Sequence, residues 1–417
     1  MALARIREAR ANVSHTEAGF FPTLTATGAS TTSHYGKNVA AGNKRPSGTS
    51  TLNQVNIDAS WELDIFGKQR GADESAEAML ASILEDGRAI LVSLLGEIAV
   101  NYINLRNYQE QLVVQQEIVA SWKEYETLRN DLMSSGLLSD IEALPADVSY
   151  NKAVTAISQL EASIQTTLNQ LCILLGQQPG SLDMILHSFS SVPQTTVAIL
   201  SNLPGKIIEQ RPDVRKAEEA LRSANANIGV AEGNLYPSFS LTGLISWGAT
   251  SLSSLFSPDN LLLSGGPGVS IPIFDFGKLQ SQVAAQYALR DQSFIQYKKA
   301  ILTALQDVEN SLITFASGHQ NLVHFKKIFE DNELAYKLTQ DRHNSGLSSM
   351  IDVFQAKFAY LASKQEYIMS IATNSSNFVN VYKALGGGWN TVAVPPSNHS
   401  IDVTLINFEK HDYEKIY

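Results

Sequence analysis

The side chains that usually carry catalysis or hold metals are not spaced for either purpose in this sequence. The eight histidines show no His-x-x-x-His spacing, and no Gly-x-Ser-x-Gly nucleophile motif is present. The one cysteine, Cys172, can form neither an internal disulfide nor a multi-cysteine metal site. Residues Gly265 to Gly268 superficially resemble a phosphate-binding loop, but they lie in a strand pattern. The sequence therefore predicts no enzyme, no cofactor and no metal centre.

Two acidic residues could act through their charge. Glu142 and Asp352 lie 210 residues apart, each soon after a Ser-Gly-Leu turn. If copies of the chain form a ring, each acid repeats around it and concentrates negative potential that favours cations. The same acids would also complement the positive end of a helix dipole. The sequence leaves both interpretations open: a ring of gate charges and a helix cap.

The composition excludes some classes of protein before any element is assigned. The chain has 417 residues, a formal net charge of −10 and 44% hydrophobic residues. This composition argues against wholesale disorder, and the acidic balance argues against a nucleic-acid binder. Charged residues make up only 17% of the chain, below the usual quarter or so. That deficit suggests surface that does not face ordinary water.

No run of about 18 or more apolar residues is present, so the sequence predicts no transmembrane helix. The N-terminal residues are charged and lack the apolar segment of a signal peptide. Because the first copy of an internal duplication starts inside an element, we expect the chain to be N-terminally truncated, downstream of an export signal.

The two halves of the chain repeat each other. The segment from Phe21 to Gly28 matches the segment from Tyr236 to Gly243, which lies 215 residues later. Further matches lie 210 residues apart: Phe66-Gly67-Lys68 with Phe276-Gly277-Lys278, Ser135-Gly136-Leu137 with Ser345-Gly346-Leu347, and Leu175-Gly176 with Leu385-Gly386. We predict a first repeat at 1–176, a linker at 177–211, a second repeat at 212–389 and a disordered tail at 390–417.

Each repeat contains a long proline-free stretch with an apolar residue at every seventh position. The two series are Leu84, Leu91, Ile98, Leu105, Leu112 and Val119, and Phe294, Ile301, Val308, Phe315, Leu322, Phe329 and Tyr336. A sustained heptad predicts long helices with a left-handed supercoil. Each long helix should end at its Ser-Gly-Leu turn, where glycine supplies the left-handed cap, and a second helix should follow. The chain is thus expected to form two helical hairpins.

Ahead of each long helix, apolar and polar residues alternate with the period of a strand. The clearest segment runs from Val55 to Glu62, and three others begin near Thr23, Phe239 and Leu263. Connections are expected at about 33–50 and 248–260. An aromatic residue at the base of every strand favours an interfacial girdle over a set of core plugs. The predicted girdle consists of Phe20, Phe21, Trp61, Phe66, Tyr236, Phe274 and Phe276.

Four strands cannot close into a barrel, and an open edge in lipid leaves unpaired backbone groups that cost several kcal/mol each. Three copies would supply twelve strands, an even number with room for a water-filled lumen. The helices alone would also suit a soluble coiled-coil scaffold or periplasmic adaptor. The alternating strands with aromatic bases argue against that alternative.

The sequence resembles the TolC-type outer-membrane efflux factors, specifically their OprM/NodT-like lipoprotein branch. The resemblance covers nearly the whole chain, roughly residues 2 to 389. It rests on the motifs Trp61-Glu62-Leu63-Asp64-Ile65-Phe66-Gly67-Lys68, Gln210-Arg211-Pro212-Asp213, Tyr236-Pro237, Pro272-Ile273-Phe274-Asp275-Phe276-Gly277-Lys278 and Leu385-Gly386-Gly387-Gly388-Trp389.

The resemblance implies a class of α and transmembrane β structure: a homotrimer with a 12-stranded β-barrel on a 12-helix α-barrel. It implies an outer-membrane exit duct that reaches into the periplasm and serves a tripartite multidrug efflux system. Its partners would be outer-membrane lipid, an inner-membrane pump and a periplasmic adaptor that meets the turns Ser135-Gly136-Leu137 and Ser345-Gly346-Leu347. The same duct serving type I protein secretion is the nearest alternative, since the pump chooses the cargo.

Overall fold

The structure of the protein, a computed structural model, describes residues 1–36, 48–137, 140–194 and 210–387. Residues 195–209 of the predicted linker and the predicted tail at 390–417 lie outside the described residues, as do the side chains of residues 138–143.

Helices and strands alternate in the same order in the two halves of the chain. The elements are α1 (Ala2–Glu17), β1 (Thr23–Tyr35), β2 (Gly48–Leu63), α2 (Lys68–Ser134), α3 (Asp140–Leu174), α4 (Asp183–Leu186), α5 (Pro212–Gly233), β3 (Ser238–Ala249), β4 (Leu261–Ser270), α6 (Lys278–Asn344) and α7 (Met350–Ala384). Short 3₁₀ turns lie at Ala18–Phe20, Leu252–Ser254 and Pro258–Asn260.

The two long helices, α2 and α6, have 67 residues each, which corresponds to about 100 Å at 1.5 Å per residue. Both begin after a glycine in the left-handed region, Gly67 with φ 82° and Gly277 with φ 81°. Since left-handed backbone suits glycine, these two residues set the start of each long helix. Among the described residues, no helix combines the length and the apolar character needed to cross a membrane.

The predicted heptad seam packs where the long helices meet their shorter partners. On α2, Leu105 is fully buried against Leu168 and Leu171 of α3. On α6 the seam is aromatic: the Phe329 ring stacks 5.4 Å from the ring of Tyr367 on α7. The free thiol of Cys172 is buried beside Leu171.

The two long helices differ in how much of their surface is covered within one chain. Among the described residues, helix α2 packs extensively against α1, α3, α5 and α7, whereas α6 packs extensively against α5 and α7. A second apolar cluster lies between α2 and α7, built on Ile103, Val114, Leu361 and Ile368. Helix α2 therefore lies inside the bundle, and α6 lies at its edge.

The four strands form one antiparallel sheet in the order β1-β2-β3-β4, with β1 and β4 at its edges. The first connection is shorter than predicted, because β1 continues to Tyr35 and β2 already begins at Gly48. Threonine side chains of the two strands also contact each other there: the hydroxyls of Thr32 and Thr51 lie 3.0 Å apart. The predicted start of the second connection is also wrong, since Gly248 and Ala249 still belong to β3.

Candidate functional site

The candidate site is the sheet itself, because its two faces differ in polarity. Residues paired across the strands lie on the same face, and the register aligns Ala26, Ile57, Ile245 and Leu263 in one apolar row. The other rows of this face add Leu24, Val55, Ala59, Trp61, Leu63, Phe239, Leu241, Trp247, Leu261 and Val269. One face of the sheet is thus suited to contact lipid.

The opposite face is mainly polar. Its rows contain Thr23, Thr25, Thr27, Asn56, Asp58, Ser60, Glu62, Ser238, Ser240, Thr242, Ser246, Ser264 and Ser270. Hydroxyl and amide groups on this face form hydrogen bonds with each other. For example, the Ser246 hydroxyl donates to Asn56 Oδ1 at 2.6 Å. Such a face suits a water-filled lumen, where side chains and water share the hydrogen bonds.

The apolar face ends in a polar zone toward the β1–β2 and β3–β4 connections. Beyond Val55 the same face carries Asn53, whose Oδ1 accepts a hydrogen bond of 2.7 Å from Ser30. The next rung on that face pairs Thr32 with Thr51, and the one after it brings His34 Nδ1 to 3.0 Å from the Thr49 hydroxyl. From Leu63 to Val55 the apolar band spans about 27 Å along β2, which at the strand tilt of about 40° in membrane barrels gives a height of about 20 Å, somewhat below their band of about 25 Å.

The predicted girdle residues lie at the helix–strand joints, and the structure brings six of them together in three groups. The indole Nε1 of Trp61 donates a 2.8 Å hydrogen bond to the Phe20 carbonyl. The Phe66 ring stacks 4.8 Å from the Tyr236 ring, and the Phe274 and Phe276 rings are 4.5 Å apart. The seventh residue, Phe21, lies outside these groups and is 69% exposed.

A further aromatic residue lies beside the Phe66–Tyr236 pair, although the sequence did not predict it as a girdle residue. Phe239 lies with its ring 6.4 Å from that of Phe66. The alternation places Phe239 on a strand and on the apolar face, but only the pairing of β2 with β3 brings it beside Phe66.

The two Ser-Gly-Leu turns end the long helices with the same hydrogen-bond pattern. Gly136, at φ 71°, donates to Met133 O, and Leu137 donates to Leu132 O at 2.9 Å. Gly346, at φ 74°, and Leu347 repeat both bonds. This is the Schellman motif that a left-handed glycine allows. The leucines, which in such motifs often pack back on the helix, remain 74% exposed at Leu137 and 69% at Leu347.

The structure gives Asp352 a capping role. Its Oδ2 accepts hydrogen bonds from the backbone N–H and the hydroxyl of Ser349, and the Asp352 N–H lies 3.2 Å from Ser349 Oγ. Together these form a capping box at the start of α7. The Ser349 hydrogen bonds lower the pKa of the Asp352 carboxyl from its usual value. Glu142 lies in α3, but its side chain is outside the described residues.

A buried arginine that the sequence analysis did not single out joins three helices. The Arg211 guanidinium is bonded to Asp213 at 2.7 Å and to Asp307 of α6 at 3.1 Å. It also donates to the carbonyl oxygens of Ala304 and Ala384, the last residue of α7. Burial lowers the pKa of Arg211, but its hydrogen bonds and charge interactions with the two aspartates outweigh burial and raise it.

The sequence alone could not identify Arg211 as the residue that joins these helices. Its motif predicts the start of α5, and Pro212 does lie in the first turn. The two carbonyl acceptors are 93 and 173 residues away, so only the folded bundle brings them together.

Within the described ranges, no group of three or more His, Cys, Asp or Glu side chains is placed to hold a metal ion. The features that the fold does assemble are a two-faced sheet, an aromatic base and two exposed helical turns.

Comparison with known proteins identifies a matching family and related sequences. Residues 1–177 and 203–387 match the family described as outer membrane efflux protein. The toluene efflux pump outer membrane protein TtgF of Pseudomonas putida is 28% identical over 345 residues, which cover 82% of this chain and 70% of that protein. Nodulation protein T of Rhizobium leguminosarum bv. trifolii is 28% identical over 394 residues, which cover 94% and 83%.

Among solved structures, the outer-membrane channel OprN superposes with a TM-score of 0.84 at 27% identity. The superposition covers 93% of this chain and 86% of that one. The predicted combination of long helical hairpins with four strands is therefore confirmed as the fold of such channels.

Proposed function

This chain belongs to the outer membrane efflux protein family, and on that premise we propose that it is the outer-membrane exit duct of a tripartite efflux system. It would reach into the periplasm and conduct small molecules that an inner-membrane pump delivers through a periplasmic adaptor. The observation that carries the proposal is the four-stranded sheet with one apolar and one polar face. Energy comes from the pump, and the duct is passive.

The sheet supports a trimer because its two edges need partners. Strands β1 and β4 are the edges within one chain, and an open edge in lipid costs several kcal/mol for each unpaired backbone group. Pairing β4 of one copy with β1 of the next closes a ring of twelve strands when three copies join. The apolar face then meets lipid and the polar face lines the lumen.

The duplication also supports a closed ring of helices. In α2, the buried residues Ser75, Ala78 and Ser82 face α5, and the Ser82 hydroxyl donates to the Lys216 carbonyl at 3.0 Å. Their equivalents on α6, 210 residues later, are Ala285, Ala288 and Gln292, and all three are exposed. In the duplication α1 is the equivalent of α5. Helix α1 of the next copy would therefore cover these three residues of α6, as α5 covers their equivalents on α2.

Exposed apolar residues on α6 extend that argument to the rest of the helix. Val92 and Ile103 of α2 are 7% and 5% exposed. Their equivalents, Leu302 and Ile313 of α6, are 57% and 63% exposed in the single chain. Burial of such side chains contributes about 1.5–3 kcal/mol each, so their exposure favours a neighbouring copy.

The aromatic girdle fits the same arrangement. Within one chain Phe66 stacks on Tyr236. The repeat equivalents are Phe276, which is 91% exposed, and Phe21, which is 69% exposed. In the proposed trimer, Phe276 of one copy would stack on Phe21 of the next, and the seven girdle residues would encircle the barrel at its periplasmic interface.

The helical turns would form the periplasmic mouth and meet the adaptor. Exposed Leu137 and Leu347 offer apolar contacts to the partner's helices, with Ser135, Gly136, Ser345 and Gly346 completing the turns. Glu142 and Asp352 would place negative charge close to this mouth.

The test is the mass and conductance of the protein extracted from outer membranes. We expect a species of three times 45.4 kDa that forms water-filled pores in planar bilayers, and loss of efflux when its gene is removed. A stably folded monomer without pore activity would refute the duct and support a scaffold.

A further inference from the structure

One carboxylate lies on the polar face of the sheet at mid-height of the apolar band. Asp58, in the middle of β2, is exposed and pairs across the sheet with Thr25 and Leu244. Its neighbours along the strand on the opposite face are Ile57 and Ala59, both in the apolar rows. The charge therefore lies on the lumen face of the proposed barrel, at the level of the lipid.

Asp58 is the one ionisable side chain on this face between the Val55 and Trp61 levels of the described strands. The other members there are hydroxyl, amide, glycine and leucine residues. The next carboxylate, Glu62, lies nearer the base and is paired with Lys68 Nζ at 3.1 Å. Among the described residues, no hydrogen bond or ion pair neutralises the Asp58 carboxylate.

We infer that Asp58 sets the charge selectivity of the duct: three copies form a ring of carboxylates inside the barrel that favours the passage of cationic solutes over anionic ones. This inference rests on the proposed trimeric duct. It assigns the selectivity to the membrane-spanning section, separately from any effect of the acids near the periplasmic mouth.

The second repeat explains why the ring has three charges. The position equivalent to Asp58, 210 residues later, is Gly268, which adds no side chain. Each copy therefore contributes a single carboxylate, and the ring follows the threefold symmetry of the assembly.

The size of the barrel determines how far each carboxylate lies from the axis, and therefore at which salt concentrations its charge acts on a passing ion. Twelve strands spaced about 4.8 Å apart and tilted about 40° give a backbone diameter of about 24 Å. Each carboxylate would then lie about 9 Å from the axis, within the screening length of about 30 Å at 0.01 M salt but beyond that of about 3 Å at 1 M. The preference should therefore be strong in dilute salt and absent in concentrated salt.

The test is the reversal potential of single pores under a KCl gradient, compared between wild type and Asp58→Asn. In solutions near 0.01 M, loss of three charges should lower the cation-to-anion permeability ratio by about threefold or more. Near 1 M, the two proteins should have the same ratio. Asp58→Glu keeps the charge and should keep the preference.

Two further variants separate charge from structure. Ser60→Asn places an amide on the same strand and face without changing charge, and it should leave the ratio unchanged. Asp58→Ser is a second neutral substitution, with a hydroxyl side chain like that of Ser60 on the same strand and face, so it should lower the ratio as Asp58→Asn does, even if Asp58→Asn itself fails to assemble.

The outcomes distinguish this inference from the proposed function. A permeability ratio in dilute salt that is the same in wild type, Asp58→Asn and Asp58→Ser would overturn the role of Asp58 and leave the duct intact. A wild-type protein that forms no pore would overturn the proposed function, and this inference with it.

Discussion

At the level of single residues, Arg211 shows how one buried charge can hold several helices together. Its guanidinium bonds to two carboxylates and two backbone carbonyls. Gly386 lies so close that an added Cβ would come within 3.0 Å of Arg211 Cγ. The start of α5, the middle of α6 and the end of α7 are thus fixed relative to one another.

Arg211→Ala should lower the free energy of unfolding by about 2–4 kcal/mol, because it leaves two carboxylates and two carbonyls without their donor. The control is Arg222→Ala inside α5, the helix that Arg211 precedes; the Arg222 side chain is 55% exposed and its ion pairs are 3.7 and 3.8 Å long. That change should cost less than about 1 kcal/mol. Denaturant unfolding measures the change in free energy for both variants. Equal changes would show that Arg211 does not hold the three helices together.

Asp352 and Glu142 can be tested as gate charges. Replacing both with alanine should weaken cation block of single-pore conductance, because the negative potential at the mouth falls. Ser349→Ala is the control, since it breaks the capping box but keeps both acids. Block that is unchanged in the double variant would assign the acids to capping alone.

The Asp352 cap should also depend on pH. Because the pKa of this carboxyl is lowered in the folded chain, its stabilising effect is present above the unfolded pKa of about 3.9 and is lost as the pH falls through the folded value. Thermal unfolding of wild type and Asp352→Asn should therefore differ at neutral pH and converge in strong acid.

At the level of elements, the glycines that end the long helices are a backbone requirement. Gly346→Ala should destabilise the hairpin by about 1 kcal/mol, because alanine is strained at φ 74°. Gly229→Ala is the matched control: it lies inside α5, where an added Cβ would enter open space, and alanine there should be neutral or stabilising. If both changes had the same effect on thermal unfolding, the turn would not need its left-handed residue.

The elements themselves were largely predictable, and the reason is periodicity. A seven-residue repeat and a two-residue alternation are local signals, so the two hairpins and four strands follow from the sequence. The ends of β1 and β2 did not, because Thr32, His34, Thr49 and Thr51 place polar side chains on the otherwise apolar face there, so the alternation is lost. The stack of Phe66 on Tyr236 depends on contacts between distant segments, which no local pattern contains.

At the level of the whole molecule, the repeat predicts the subunit interface. In a double-mutant cycle, Phe21→Ala and Phe276→Ala should show a coupling energy of about 0.5–1.5 kcal/mol for trimer assembly. The control pair is Phe66 and Tyr236, which stack within one chain and should be coupled in the unfolding of the subunit. Additive effects of Phe21 and Phe276 on assembly would contradict a closed ring in this register.

The two Ser-Gly-Leu turns share a backbone conformation but lead into helices that begin differently. After Gly346 comes a serine–aspartate box, whereas the first copy continues toward a proline, Pro145, in its next helix. A threefold assembly would therefore present six tips of two alternating kinds. A partner that recognises one kind of tip would therefore find three docking positions on each assembly, so damage to that turn would remove those three and leave the other three tips unchanged.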